Sequence, residues 1–178
     1  MNARWPLAGV LGIAGVALFA STVSATTPVP GVTTSILVKS TVAPLNINSH
    51  PDSATLWGAR LKTHGITDAY VVDNKFAVGS DTGWHSHPGP SLVFVIAGTV
   101  TNYSSDDPAC SPHVYNAGSN FVDAGGADSH LLRNEGAVPA ETIAVQLLPT
   151  GSTRRIDEPV PENCLPTPHR EHRDGQAG

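Results

Sequence analysis

Positive charge, cysteine and long apolar runs are all scarce in this chain. Its 178 residues include ten Lys or Arg against fifteen Asp or Glu, for a formal net charge of -5. There is no basic run and no basic stripe with interleaved aromatics, which argues against nucleic acid as a partner. One apolar run stands out, Leu7 to Ala20. It is shorter than the roughly 20 residues a membrane-spanning helix needs, so an uncleaved anchor is the weaker reading of it. No cysteine follows the run to carry a lipid. Neither an internal repeat nor a heptad pattern occurs, which excludes solenoids and coiled coils.

The same N-terminal run, preceded by Arg4 and followed by Val23, Ser24 and Ala25, has the pattern of a secretory signal peptide. Cleavage after Ala25 is expected, giving an exported, extracytoplasmic protein with no membrane attachment. Losing residues 1–25 leaves 153 residues and a net charge of -6. That length suits one domain burying about 70% of its unfolded surface. Cys110 and Cys164 are the two cysteines. An even count in an oxidising compartment predicts a disulfide between them, holding the C-terminal segment to a loop.

The pass along the chain gives residues 26–31 as a linker, 32–150 as the folded barrel and 151–178 as a tail, disordered at least from Glu171. Strands are expected at Val32 to Lys39, over Ile66 to Val78 with a turn at Asp73 and Asn74, at Ser91 to Ala97, and at Thr99 to Tyr103. Further strands are expected at Val114 to Tyr115, Asn120 to Asp123, His130 to Asn134 and Glu141 to Leu148. In the Ser91 to Ala97 run both alternating faces are apolar, which predicts burial on both sides. Thr41 to Pro51 reads as irregular, and Asp52 to His64 is the one place a helix is expected. Many short strands separated by turn signals point to an all-β sandwich or barrel.

The chemistry concentrates between Gly79 and Gly98. His85 and His87 are two residues apart, so on an extended segment their side chains share a face. Pro88, Gly89 and Pro90 then bend the chain before the Ser91 strand. The spacing of Gly79, His85, His87, Ser91 and Gly98 resembles the first motif of the cupin superfamily, with serine where that family has glutamate. Gly118 to Asn134 resembles the second motif. His130 and Asn134 keep its spacing, Gly125 and Gly126 form its turn, and Ala124 stands in place of its proline. The resemblance implies a single cupin double-stranded β-helix, or jelly-roll, barrel, and cupins commonly pair into homodimers through outer strands.

Neutral imidazole suits zinc, copper, iron and nickel, three such ligands leave coordination positions open, and manganese is kept beside these four as a candidate ion. His85, His87 and His130 are therefore the candidate ligands of one divalent transition metal ion. Ser91 lacks the charge of the glutamate it replaces, so the ion's charge would be uncompensated and the site would favour anionic ligands. That resembles the three-histidine cupins, thiol dioxygenases among them. Asp128, two residues before His130, is a further candidate, with a turn aspartate as its plainer reading. His50, His64 and His113 have no partner spacing, and Arg133 is expected to point away from the metal. Three functions are compatible with this pattern: a metal-dependent, dioxygenase-like enzyme acting on a small organic substrate, a small-ligand-binding module, and a structural cupin. No general base is visible, which weakens the first.

Overall fold

The structure is a computed structural model that describes residues 24–50, 54 and 57–165. The apolar run from Leu7, the tail from 166 with His169 and His172, and Asp52, Ser53 and Leu56 of the expected helix lie outside the described residues.

Twelve strands follow in chain order: β1 (Val32–Val42), β2 (Asn46–Ser49), β3 (Ala59–Lys62), β4 (Thr67–Phe76), β5 (His85–Ser86) and β6 (Ser91–Ala97), then β7 (Thr99–Ser104), β8 (His113–Asn116), β9 (Asn120–Asp123), β10 (His130–Arg133), β11 (Ala140–Pro149) and β12 (Ile156–Asp157). One five-stranded sheet has the order β1-β4-β11-β6-β9 and the other β12-β5-β10-β7-β8, with every pairing antiparallel. Successive stretches of chain alternate between the two sheets, as a double-stranded β-helix requires. Val72, Phe76, Val93, Val95, Val100, Leu132, Ala144 and Leu148 meet between the sheets and form the core.

Glycine is required at Gly98, the last position of the first motif. Its φ is +66°, and a Cβ there would lie 2.5 Å from the Pro139 carbonyl oxygen. Asn134, at the end of the second motif, is fully buried. Its Nδ2 donates to the Phe76 and Val138 carbonyls and its Oδ1 accepts from the Gly136 N–H. That residue ties the chain after β10 to the end of β4, a structural task.

Several expectations need correction. β6 buries only Ser91, Val93 and Val95, while Leu92, Phe94 and Ile96 are 44%, 39% and 51% exposed. The strand lies between β11 and β9, and no second layer of the described residues covers the outer face of that sheet. β4 runs through Asp73 and Asn74 without a turn, because both residues are paired to β1 and β11. Ala59–Lys62, inside the expected helix, is a strand that forms a hairpin with β2, itself within the segment read as irregular. Leu56, Ala59 and Leu61 are too sparse to give a helix an apolar stripe, so hairpin pairing prevails.

The ends of the barrel are also more integrated than expected. Before β1, the Thr26 N–H donates to the Glu158 carbonyl and the Val29 N–H to Asp81 Oδ1, each at 3.0 Å, so the extended segment 26–31 lies along the barrel. After β11, β12 adds an edge strand beside β5. Cys110 and Cys164 are disulfide-bonded, which fastens the end of this C-terminal segment to the loop before β8.

Candidate metal centre

β5 is only two residues long, and pairing on both sides holds it. His85 is opposite His130 of β10 and opposite Asp157 of β12. Directly opposed residues project from the same face of a sheet, so the register brings the His85 and His130 rings together. His87 lies just beyond the strand and turns to the same point. Each of the three histidines is 5% exposed. Their ligand nitrogens all lie within 4.8 Å of one another, with His85 Nε2 and His130 Nε2 3.0 Å apart.

Two backbone carbonyls fix the ring states. A carbonyl can only accept, so the 3.0 Å contact of His85 Nδ1 with the Gly83 oxygen and the 2.6 Å contact of His87 Nδ1 with the Arg154 oxygen put a proton on each Nδ1. In the neutral rings Nε2 is then a bare lone pair directed at the cluster. Burial is the main force keeping the rings neutral. It holds His85 well below the usual imidazole range, helped by the charges of His130, Arg155 and His87. Burial lowers His130 to about 4 against the opposing charge of Asp123, and lowers His87 against its bond to the Arg154 carbonyl. At 3.0 Å the His85 Nε2 lone pair either accepts a proton from His130 Nε2 or shares a cation with it. The three buried nitrogen donors fit a transition metal ion of the kind that imidazole suits, zinc, copper, iron or nickel.

The serine at the glutamate position of the motif is in the site as well. Ser91 is 1% exposed and paired in register with Gln146 of β11, whose Nε2 donates to its Oγ at 3.0 Å. The Gln146 Oε1 in turn accepts from Arg154 Nη1 at 3.2 Å. These residues and the three histidines line a cavity of about 260 Å³. Asp128, in contrast, is exposed in the loop before β10 and does not line the cavity. It lies outside any strand, so the two-residue spacing from His130 does not put it on the histidine's face. Trp84 is buried but faces away from the cavity. Arg133 bonds Asp81 at 2.9 Å. His50, His64 and His113 are exposed.

Three further residues join the site from distant parts of the chain. Gln146 and Arg154 complete the cavity wall beside Ser91. Asp123, opposite Ser91 in the β6–β9 ladder, lies close enough to His87 and His130 for its charge to act on both, and its Oδ2 is buried with no hydrogen-bond partner among the described residues. Nothing in the local sequence marks any of them, because register across strands places them there.

Strand order, the two interleaved sheets and the buried histidine triad define the class: a single barrel with the cupin fold and a candidate three-histidine metal centre. No protein-family model and no curated protein sequence matches the chain. Among solved structures it is similar to a Klebsiella pneumoniae protein with a double-stranded β-helix domain, at 19% identity over 65% of this chain and 85% of that one, TM-score 0.43. A cupin domain from Bordetella pertussis matches at 14% identity over 68% of this chain and 98% of that one, TM-score 0.42. An oxalate oxidase in complex with glycolate matches at 24% identity over 44% of this chain, TM-score 0.39, and the match spans only 41% of the oxidase chain.

Proposed function

We propose that this chain is an exported cupin that binds one divalent transition metal ion through His85, His87 and His130 and presents it to a small organic molecule in the barrel cavity. The observation that carries this reading is the pair of Nδ1–H bonds to the Gly83 and Arg154 carbonyls, which leave two bare Nε2 atoms turned toward His130. When bound, the ion would supply Lewis-acid polarisation of an oxygen-bearing ligand or, for iron, manganese or copper, electron transfer. The protein's own residues orient the imidazoles, keep them neutral and exclude bulk water. Export is supported by Arg4, the apolar run that follows it and the Cys110–Cys164 bridge. Pairing of two copies over the exposed Leu92, Phe94 and Ile96 face belongs to the same reading.

An oxygenase-like reaction is favoured by a triad that leaves coordination positions open. A non-catalytic ligand-binding role is favoured by Ser91, where a hydroxyl engaged by Gln146 replaces a carboxylate. Oxygen uptake decides between them. The protein is loaded in turn with iron, manganese, nickel, copper and zinc and presented with small organic acids, thiols and sugars. Consumption that requires metal and is lost in His85→Ala establishes the enzyme. Saturable binding without turnover under any metal establishes the binding module.

A further inference from the structure

Arg154 performs two tasks at once. Its backbone carbonyl accepts the His87 Nδ1–H, and its half-buried side chain reaches the cavity wall, where Nη1 donates to Gln146 Oε1. We infer that this side chain selects the ligand, and that the cavity takes a small carboxylate whose charge Arg154 meets and whose oxygen takes the place left without a carboxylate at Ser91.

The other charges around the cavity are spoken for. Arg155 donates to Asp157 Oδ1 at 2.7 Å and to the Thr82 carbonyl at 2.6 Å. Asp81 is engaged by Arg133 and by the N–H groups of Val29 and Gly83. Asp123 does not line the cavity, and its charge is felt there only through His87 and His130. Arg154 instead faces a neutral amide, with one of its five donors used there. A guanidinium offers a planar fork that matches the two oxygens of a carboxylate, a geometry an ammonium or an amide does not provide. The hydrogen-bonded row Ser91, Gln146, Arg154 forms one wall of the cavity, so a ligand held by Arg154 lies against the same wall as the Ser91 hydroxyl, which keeps its hydrogen to donate. A volume of about 260 Å³ is on the order of nine waters, which limits the ligand to a small acid. With a dication on the histidines, the site would hold two positive charges in excess of Asp123 and Asp157, and a monoanion offsets one of them.

The clause about the ion rests on the metal-centre reading; the arginine's part does not. The test is calorimetric titration of the full mature chain, first with zinc and then with acetate or its neutral isostere acetamide, in wild type, Arg154→Gln and Arg154→Lys. A cobalt-loaded sample, read by its visible spectrum, reports whether acetate perturbs the ion. The expected result is acetate binding at least about tenfold tighter than acetamide, an acetate affinity at least about tenfold weaker in Arg154→Gln, and a partial loss in Arg154→Lys. Zinc affinity should change less than about threefold, since the Arg154 carbonyl survives both substitutions. Equal binding of acetate and acetamide, or acetate binding indifferent to Arg154, overturns the inference while leaving the metal site standing. If zinc does not bind, the acetate titration of the metal-free protein still decides: binding that depends on Arg154 retains the anion site and rejects the metal reading, and no binding rejects both.

Discussion

The bridge between Cys110 and Cys164 closes a loop with a sequence separation of 54, and its removal has a calculable cost. In the chain-entropy account the bridge acts on the unfolded state, and a loop of this length contributes about 4 kcal/mol at 25 °C. The folded contacts beside it are modest. Asn163 Nδ2 donates to the Asp107 and Ser105 carbonyls at exposed positions, so little native packing is lost with the sulfurs. The double variant Cys110→Ser, Cys164→Ser should therefore lose about 4 kcal/mol in urea unfolding, which for a domain of this size corresponds to a fall in Tm of about 8–16 °C. Metal stoichiometry should be unchanged, because β12 and the Glu158 N–H bond to the Trp84 carbonyl still hold Arg154 in place beneath His87. A loss below about 1 kcal/mol would refute the entropic reasoning. A normal fold without metal would show instead that the bridge shapes the site.

Three further outcomes are expected. Asp68 is held down to about 2, chiefly by the Thr41 hydroxyl, with Lys39 and the Gly151 N–H assisting. A depressed carboxylate stabilises the fold above its unfolded value near 3.8, and that stability disappears as pH falls toward 2, so urea midpoints should drop across this window in wild type and stay flatter in Asp68→Asn. Burial keeps the triad neutral below the usual imidazole range, with His130 at about 4, so protons displace a bound ion only well below pH 6.5. Dialysis against a chelator-free series should retain more than half the metal at pH 5. Ser91→Glu puts a carboxylate beside the ion and should slow chelator-driven metal loss by about tenfold, the scale of one charge-assisted contact, while weakening acetate binding. Unchanged release kinetics would place Ser91 too far from the ion to act on it.

Much of the barrel and the triad were legible in the sequence, for local reasons. The Gly98 turn, the His85 and His87 pair and the His130 to Asn134 spacing each arise from contacts within a few residues or from a positive φ that only glycine adopts readily. The faces of the strands were harder to read. On β11 the inward residues are Thr142, Ala144 and Gln146, while the more apolar Ile143, Val145 and Leu147 face outward, because the interior is a polar site at that end and the outer face is left uncovered. β6 shows the same ambiguity, with apolar residues of both parities. The remote partners could not be read at all. Gln146 is 59 residues from His87, and Arg154 comes from a segment expected to be a tail. Only the antiparallel registers, Ser91 with Gln146 and with Asp123, and His85 with His130 and Asp157, bring these groups to one point.

The most direct test of the central claim is elemental analysis of the protein purified without a histidine tag, beside His85→Ala and His130→Ala variants whose folding is checked by circular dichroism. The account predicts close to one equivalent of a transition metal in the native protein and its loss in both folded variants. Native protein that takes up no iron, manganese, nickel, copper or zinc, or variants that retain a full equivalent, would contradict it.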